Sequence, residues 1–510
     1  MKKNITYYIL LVTTLIFTSC DVLDLAPQDS FAEGNFWKNE AQVKGYISGM
    51  HTQLRSNATN FFRMGEVRGG QLSSISTFGI GMNDVSIIQH NLKESSPGIN
   101  DWGGFYGNIL QLNVLIDRLD KGMPFLTKEK NSYYLGQAHG LRAWYYFYLL
   151  RTWGGVPLIT EPKVTQGTTN PTDLYTPRSP EADIMNFLKT EITASESSFA
   201  ADDFTISAKR DLWSKAATLM LKADIYLWSA KVYGGTDKGK DLETAMNALK
   251  AIQTQSSKYA LMDNFGDVFA YNNKGNKEII MALHYEKGEA ESNMRDFMYD
   301  IPLMSSCFDR NGNPMGNPLN VGDKTNLKYE YKWSLYESYS DKDARKDLTF
   351  MDFYVDKAGA KHGVVMRKFL GMVDGTTNIR YYSDDMPLYR YGELVLMMAE
   401  IKNAQGVDPS NEINAIRKRA CGEGNYDVYT NKSFAENELA ILQERDKELV
   451  CEGKRWFDVR RMQDASGKPL AFTESGLKES ESYKLLWPIN TGLITNDSSL
   501  EQTPGYKRGE

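Results

Sequence analysis

One run of apolar residues constrains the fold more than any other feature of this sequence. Between 212 and 230 the apolar positions recur at alternating intervals of four and three residues, at Leu212, Ala216, Leu219, Ala223, Tyr226 and Ala230. A period near 3.6 residues places all of them on one face of a long α-helix. Gly234 and Gly235 follow the run, and glycines are typical just past the end of a helix.

The same periodicity predicts helices through most of the chain. A second long helix is predicted over 129–153, where Gly154, Gly155 and Pro157 end it. Others are predicted near 40–54, 103–120, 180–196, 241–255, 388–404, 409–420 and 433–463. Many come in pairs joined by short turns, as in stacked helix–turn–helix repeats such as TPRs, although the full TPR consensus is absent. We therefore predict a mainly all-α fold, with TPR-like helix pairs as a scaffold.

Two long segments depart from this pattern. Residues 56–102 and 256–387 are rich in Gly, Asn, Asp and Pro, with a strand-like run at Glu278–Leu283 and a single helical signal over 328–339. Long loops of this kind are binding loops or disordered segments, and the aromatic residues here favour binding. We expect a signal peptide over 1–19, an N-terminal region over 20–230, and a C-terminal region over 231–510 that contains the 256–387 insertion.

The first twenty residues predict the cellular compartment. Lys2 and Lys3 precede a short apolar run from Ile5 to Phe17, which is too short to span a bilayer and is typical of a signal peptide. Ser19-Cys20 resembles the lipobox of bacterial lipoproteins, in which the cysteine is acylated after cleavage. We therefore expect a lipid anchor on Cys20. The alternative is a plain secretory signal with an incidental cysteine.

Composition excludes several classes of function. With 59 Lys and Arg against 65 Asp and Glu, the chain carries a formal charge of −6, which argues against a nucleic-acid partner. The five His residues lie in no metal-binding or triad motif, so we predict neither a metal nor a cofactor. Beyond Cys20 there are three cysteines, which allow one disulfide at most, and whether Cys421 and Cys451 pair is left open.

Motifs that suggest catalysis or ion binding are incomplete. The stretch from Gly234 to Lys240 fits the start of a phosphate-binding loop, but Asp241 stands where the magnesium ligand belongs and a helix precedes it. Asp309, Asn311 and Asn313 match the first ligands of a calcium loop, but Pro314 replaces the required Gly. We expect ordinary loops at both places.

A row of carboxylates is the strongest catalytic candidate. Glu444, Glu448 and Glu452 are spaced one per turn on a predicted helix, and a pair of carboxylates could serve a glycosidase. Several arginines lie on the same stretch, among them Arg445 and Arg455. Because stacked like charges destabilise a helix, we expect these groups to form a structural ion-pair network, and we predict that the protein is not an enzyme.

Five stretches resemble the SusD/RagB family. Residues 137–159 (QAHGLRAWYYFYLLRTWGGVPLI) are similar to its helix with a Gly-x-Pro exit, and residues 388–399 (LYRYGELVLMMA) are similar to its R-Y-x-E-x-x-L helix, followed by INAIRKRA at 413–420. Residues 444–461 (ERDKELVCEGKRWFDVRR) resemble its most characteristic segment, and QTPGY at 502–506 resembles its closing Q-N-P-G-Y. The resemblance covers nearly the whole chain after Cys20.

The resemblance implies a lipoprotein on the surface of a Gram-negative outer membrane. Such proteins capture oligosaccharides and deliver them to a SusC-like TonB-dependent transporter, whereas members similar to RagB bind peptides instead. The family has no known catalytic residue. The matched motifs are expected to be internal ties of the scaffold, carried by Arg142, Arg390, Glu393, Glu448, Glu452, Arg455 and Trp456.

We place the ligand on the loops rather than on the helices. Sugar recognition needs aromatic rings that stack on the apolar faces of the sugar, together with polar groups that bond its hydroxyls. The candidate contacts are Asn57, Asn60, Arg68, Phe78, Asp84, Cys307, Phe308, Arg310, Arg380 and Tyr381. Arg68-Gly69-Gly70 stands where the family often has R-G-D, so an acidic contact is expected to be missing there.

Overall fold

The computed structural model of the protein describes residues 36–507, apart from 166, 169, 202, 323, 324 and 326. Helices dominate and the strands are short, so the predicted mainly helical class is confirmed. The predicted signal peptide and Cys20 lie outside the described residues.

The N-terminal part is a series of helices in which neighbours along the chain pack together. The helices are α1 (Glu40–Ser56), α2 (Ala58–Phe62), α3 (Val85–Ile88), α4 (Gly103–Asp120), α5 (Lys128–Trp153), α6 (Glu181–Ser198), α7 (Lys215–Trp228) and α8 (Lys238–Gln253). From α4 to α8 each helix packs against the next one. The predicted pairing of helices is therefore present, while its identity with the TPR repeat stays a prediction.

Helix α7 carries the apolar stripe and lies inside the molecule. It begins at Lys215, three residues after the predicted start, because the Ser214 side chain caps it by accepting from the Ala217 N–H. A π-helical turn over Ser229–Tyr233 continues it, and Gly234 follows with φ 63°. The predicted domain boundary at residue 230 falls within this turn and stays a prediction.

The short strands lie in the loop-rich insertion, and the last of them runs three residues beyond it. They are β1 (Ile279–Leu283), β2 (Phe350–Tyr354), β3 (His362–Met366), β4 (Met372–Val373), β5 (Arg380–Tyr381) and β6 (Met386–Arg390). Each pairs antiparallel with one partner, as β1–β6, β2–β3 and β4–β5. Short helices lie between them, namely α9 (Ile301–Ser305), α10 (Trp333–Glu337) and α11 (Arg345–Thr349). The strand predicted at 278–283 is confirmed, whereas the helix predicted over 328–339 is only five residues long.

The C-terminal part packs around the helix that follows β6. Its helices are α12 (Tyr391–Ala404), α13 (Ser410–Cys421), α14 (Phe434–Glu448), α15 (Arg455–Arg461), α16 (Ala471–Glu474) and α17 (Thr491–Asn496). Helix α12 packs on α13, on α14 and on α8, which joins the two parts of the chain. Single 3-10 segments lie at Pro171–Leu174, Phe265–Val268, Tyr271–Asn273, Asn293–Phe297 and Glu479–Leu485. Cys307, Cys421 and Cys451 are all free thiols.

The single helix predicted over 433–463 is wrong, because the chain turns between α14 and α15. The buried carboxylate of Glu66 accepts from the backbone N–H groups of Cys451, Gly453 and Lys454 at 2.9–3.3 Å. Three N–H groups that a helix would direct at its own carbonyls are directed instead at a side chain nearly 400 residues away. Glu452 therefore lies beyond the helical row of Glu444 and Glu448.

Candidate functional site

The carboxylates that suggested a glycosidase are enclosed by arginines. Arg345 donates to Glu448 through Nη1 and to Glu444 through Nη2, each at 3.1 Å. Arg390 binds Glu448 and Glu452, and all of these side chains are buried. Burial raises the pKa of Glu448, but the guanidiniums of Arg419, Arg390 and Arg345 outweigh it and hold this pKa well below its usual range. These groups serve as the structural ties that the sequence predicted.

The structure brings two of the predicted binding loops to the β2–β3 hairpin. The segment over 71–84 runs beside residues 328–332, with Ser73 N–H donating to Glu330 O and Asn83 N–H donating to Lys328 O, both at 2.9 Å. Thr77 on this segment also donates from its hydroxyl to the His362 carbonyl of β3 at 3.0 Å. These hydrogen bonds hold the loop against the hairpin.

Phe78 and Phe308 reach the hairpin from opposite loops. The Phe78 ring stacks on Phe353 of β2, with centroids 5.3 Å apart and an interplanar angle of 7°. The backbone of Phe308 pairs with Tyr354, donating and accepting hydrogen bonds of 2.8 and 2.9 Å. Both phenylalanine rings are half-buried, so each keeps an exposed part.

Arg310 holds a charged edge at Asp352 of the same hairpin. Its Nη2 donates to Asp352 at 2.8 Å, to Asp347 at 3.0 Å and to the Tyr336 hydroxyl at 3.1 Å. The hydrogen bonds to Asp352 and Asp347 raise the pKa of this guanidinium. Half of the side chain stays exposed, so Arg310 is oriented by its partners and still reaches solvent.

Three further aromatic residues at the hairpin were not among the predicted contacts. The rings of Trp333 and His362 lie 4.0 Å apart by centroid, and Tyr354 lies 6.1 Å from each of them. All three are half-buried. Trp333 lies within the helix predicted over 328–339. An aromatic residue on a helix more often packs in the core than contacts a ligand. Its position at the first turn of a five-residue helix leaves part of the indole at the surface.

We call Phe78, Phe308, Trp333, Tyr354 and His362, which all lie at the β2–β3 hairpin, the aromatic patch. Ring contacts join Trp333, Tyr354 and His362, whereas Phe78 stacks on Phe353 and Phe308 is tied to Tyr354 through its backbone. Flat π-faces of this kind stack on the apolar C–H faces of a sugar ring, or on other planar groups. Arg310 and its carboxylate partners add donors and acceptors at the edge. The arrangement can therefore bind a hydroxylated, partly apolar ligand.

Three predicted contacts have buried side chains, and their contact with a ligand stays a prediction. Arg68 lies between the rings of Trp456 and Trp487, at 4.2 and 5.6 Å from their centroids, and has no exposed surface. Cys307 is fully buried, with Sγ 3.4 Å from the Leu303 carbonyl. Asn57 turns its amide back to the Gln53 carbonyl at 3.0 Å and is also buried. Packing and local hydrogen bonds account for all three.

The departure from R-G-D at residue 70 has a packing cause. Gly70 has φ 89°, and a Cβ there would lie 2.4 Å from the Glu474 carbonyl oxygen. An aspartate at this position would therefore clash with the backbone of the neighbouring α16 segment. Whether an acidic ligand contact is missing at this place stays a prediction.

The remaining candidates lie away from the hairpin or at its margin. Asp84 is half-buried with φ 54°, and its Oδ2 accepts from Arg63 Nε at 2.8 Å and from the Tyr329 hydroxyl at 2.5 Å. Asn60 is also half-buried, on α2. Whether Asn60 and Asp84 contact a ligand stays a prediction.

Arg380 and Tyr381 form the strand β5 on a separate small sheet. Arg380 Nε donates to the Leu319 carbonyl at 2.6 Å, which ties it to a neighbouring loop. The Lys287 ammonium lies 4.6 Å from the centroid of the Tyr381 ring. Their contact with a ligand also stays a prediction.

Two further findings concern metals and membranes. Within residues 36–507, leaving out the six gaps, no three His, Cys, Asp or Glu side chains come together as a metal site. None of the helices in the described part of the chain is both long and apolar enough to cross a membrane.

Comparisons with known proteins agree with the motifs. The model of the SusD family matches residues 354–506, and a model described as starch-binding associating with outer membrane matches residues 21–197. A solved SusD superfamily protein from Bacteroides fragilis is 35% identical, with a TM-score of 0.83 over 92% of this chain and 100% of its own.

Curated relatives match over most of their length as well. SusD-like protein P38 of Formosa agariphila is 25% identical over 99% of both chains. The starch-binding protein SusD of Bacteroides thetaiotaomicron is 24% identical over 78% of this chain and 77% of its own. With the helical fold and these matches together, the chain belongs to the SusD/RagB family.

Proposed function

We propose that this protein binds glycans at the cell surface and that the aromatic patch is its binding site. The observation that carries the proposal is the convergence of Phe78 and Trp333, from segments far apart in sequence, on the hairpin that carries Tyr354. Phe78 and Trp333 pack against the core and are only half-buried, and Tyr354 is half-buried near the half-exposed Arg310. A relative with starch-binding in its name supports the class of ligand.

The protein acts by capture rather than by cleavage in this proposal. Glu444 and Glu448, the carboxylates with the best spacing for a glycosidase, are buried and each bound to arginine. The aromatic patch supplies stacking surface and hydrogen bonds, which give affinity without bond breaking.

We further propose that the protein is anchored in the outer membrane by a lipid on Cys20 and delivers its glycan to a SusC-like TonB-dependent transporter. The matched description that mentions the outer membrane supports the location. The lipobox-like Ser19-Cys20 supports the anchor, and membership of the SusD/RagB family supports the transporter partner.

The test is binding to immobilised glycans and to peptides by the full chain and two variants. Trp333→Ala should abolish or strongly weaken glycan binding. Phe434→Ala, which removes an exposed ring at the start of α14, should leave it unchanged. Capture of peptides with no glycan bound would favour the RagB-like alternative. Equal glycan binding by Trp333→Ala and the unchanged chain would contradict the assignment of the aromatic patch.

A further inference from the structure

The tip of the 71–84 segment, which carries Phe78, is tied to its neighbours through Thr77. The Thr77 N–H donates to Glu330 Oε2 at 2.9 Å, and Thr77 Oγ1 is hydrogen-bonded to Glu330 Oε1. Phe78 is the next residue along the chain, and its ring stacks on Phe353 of β2. A shift of Thr77 would therefore move a ring of the aromatic patch.

The Thr77 hydroxyl contacts β3 as well as Glu330. Its Oγ1 lies 3.0 Å from the His362 carbonyl oxygen. A Cβ on Gly363 would lie 2.3 Å from Thr77 Oγ1 and 2.6 Å from Glu330 Oε1. The glycine therefore leaves the room in which both groups approach the backbone of the strand.

The Thr77 hydroxyl has two acceptor oxygens within reach and only one proton to donate. An ionised Glu330 has no proton to give, so the hydroxyl would donate either to Glu330 Oε1 or to the His362 carbonyl, and one of these contacts would hold no proton. A neutral Glu330 donates its own O–H to Thr77 Oγ1, and the Thr77 hydroxyl then donates to His362. The neutral acid thus makes both contacts hydrogen bonds at the same time.

The surroundings of Glu330 also favour the neutral form. Glu330 has 4% of its surface exposed, and among the described residues no cationic side chain contributes to its charge balance. Burial raises the pKa of Glu330, and this effect outweighs the hydrogen bonds from Thr77, which lower it. A buried carboxylate without a cationic partner is costly to ionise.

The titratable side chains on the adjacent segments have partners other than Glu330. They are Lys328 with Asp296, Lys332 with the Gly70 carbonyl, His362 with the Gly359 carbonyl, Asp352 with Arg310, Asp84 with Arg63 and Tyr329, and Tyr331 with Glu66, while Lys361 is exposed. Histidine side chains titrate between about pH 5 and 8. His362 also belongs to the aromatic patch, so a test by pH has to separate its effect from that of Glu330.

We propose that Glu330 is a positioning residue of the aromatic patch, which as a neutral carboxylic acid holds Thr77, and with it the Phe78 ring, against β3. When Glu330 loses its proton, the Thr77 hydroxyl can no longer serve both contacts, and the tip is held by one hydrogen bond fewer. Glycan affinity therefore falls as the pH rises. This effect on affinity rests on the proposed function, whereas the protonation of Glu330 does not.

The decisive variant is Glu330→Gln, made in the full chain. Its amide NH₂ donates to Thr77 Oγ1 and its amide oxygen accepts from the Thr77 N–H at every pH. Infrared spectra at about pH 6 should show that Glu330→Gln has lost the C=O band of one neutral carboxyl group. Glu337→Gln, which changes an exposed carboxylate at the end of α10, is the matched control and should keep this band. Deuterium exchange of the 71–84 backbone should stay unchanged in Glu330→Gln and become roughly fivefold faster in Glu330→Ala, which removes the donor and the acceptors.

Binding to immobilised glycans at two pH values tests the consequence for capture. The unchanged chain should bind roughly fivefold more weakly at about pH 9 than at about pH 6, whereas Glu330→Gln should keep its affinity. Since His362 is present in both proteins, an equal pH dependence in Glu330→Gln would assign the effect to another group and overturn the proposal.

Three further results would overturn the proposal. They are an infrared spectrum that Glu330→Gln does not change, exchange in Glu330→Gln as fast as in Glu330→Ala, and glycan capture by Glu330→Ala equal to that of the unchanged chain. If the unchanged chain captures no glycan, the proposed function fails, and the infrared and exchange results still decide whether a neutral Glu330 holds the tip.

Discussion

Arg390 and Glu448 form a fully buried ion pair, in which Arg390 Nη1 donates to Glu448 Oε1 at 2.6 Å. The same guanidinium binds Glu278 beside β1 at 2.8 Å and Glu452 beyond α14. Arg419 on α13 reaches Glu278 as well, at 3.0 Å. One arginine therefore joins β6 to β1 and to the end of α14. These ion pairs fix the relative positions of the elements from which the loops extend.

The first prediction concerns Glu452, which binds both Arg390 and Lys368. Glu452→Ala removes the shared carboxylate and leaves two buried cations without it, so we expect a loss of about 3–5 kcal/mol in the free energy of unfolding. Thermal unfolding of the variant and of the unchanged chain measures this loss of stability. Glu423→Ala, which breaks an exposed pair with Lys418, is the matched control and should hardly change Tm. A folded Glu452→Ala protein of unchanged stability that no longer binds glycan would show that Glu452 belongs to the glycan-binding site rather than to the buried ion-pair network.

The second prediction is acid lability of this network. Burial raises the pKa of Glu452, but Arg390 and Lys368 outweigh it, and the pKa lies below its ordinary value of 4.5, as it does for Glu448. Their contribution is therefore fully present above pH 4.5 and is lost as the pH falls below it, because the unfolded chain then takes up protons first. Urea unfolding over a pH series should show this loss. Constant stability down to pH 3 would contradict it.

The third prediction separates two aromatic residues that the sequence treated alike. Phe78→Ala removes a ring stacked on the hairpin and should weaken glycan binding by roughly thirtyfold, equivalent to about 2 kcal/mol. Tyr381 lies on another sheet, so Tyr381→Ala is expected to change the affinity for glycan less. Calorimetry on both variants, with Tm within a few degrees as the folding control, measures the difference. A larger effect from Tyr381→Ala would place the ligand on β5.

The fourth prediction has the opposite sign from the first. Burial raises the pKa of Asp384 from 3.8 to about 6, so ionising it in the folded protein costs up to about 3 kcal/mol. Asp384→Asn removes that charge and should stabilise the ligand-free protein at neutral pH. The gain should vanish below pH 3.8, where the carboxyl is protonated in both states, grow between pH 3.8 and about 6, and stay constant above that. Equal stabilities across this range, measured by urea unfolding, would show that Asp384 carries no such cost.

The fifth prediction concerns the anchor. Cys20→Ala should give soluble protein or an uncleaved precursor, because the lipid attachment point is removed. Cell fractionation and lipid labelling measure this, with Cys421→Ala as a cysteine control. A variant that stays in the membrane and still carries the lipid would exclude Cys20 as the anchor.

Local patterns in the sequence were sufficient for most of the long helices and for the family. Helix α4 was predicted with its observed ends, 103 and 120, because its apolar spacing is a property of the helix alone. The buried role of Arg142 was also foreseen, and it binds Glu191 with two hydrogen bonds of 2.7 and 2.9 Å. Motifs such as ERDKELVCEGKRWFDVRR identified the family because each contains several residues of this buried, ion-paired kind in a fixed order.

Contacts between distant segments decided the rest. Arg68 looked available on a loop, yet Trp456 and Trp487 enclose it from the other end of the chain. The turn after α14 depends on Glu66, and the aromatic patch depends on pairing between 71–84 and 328–332. Periodicity describes how a segment repeats along its own axis, and it carries no information about which distant backbone will supply a partner. Only the packed tertiary structure could turn Phe78, Phe308 and Trp333 into neighbours of one hairpin.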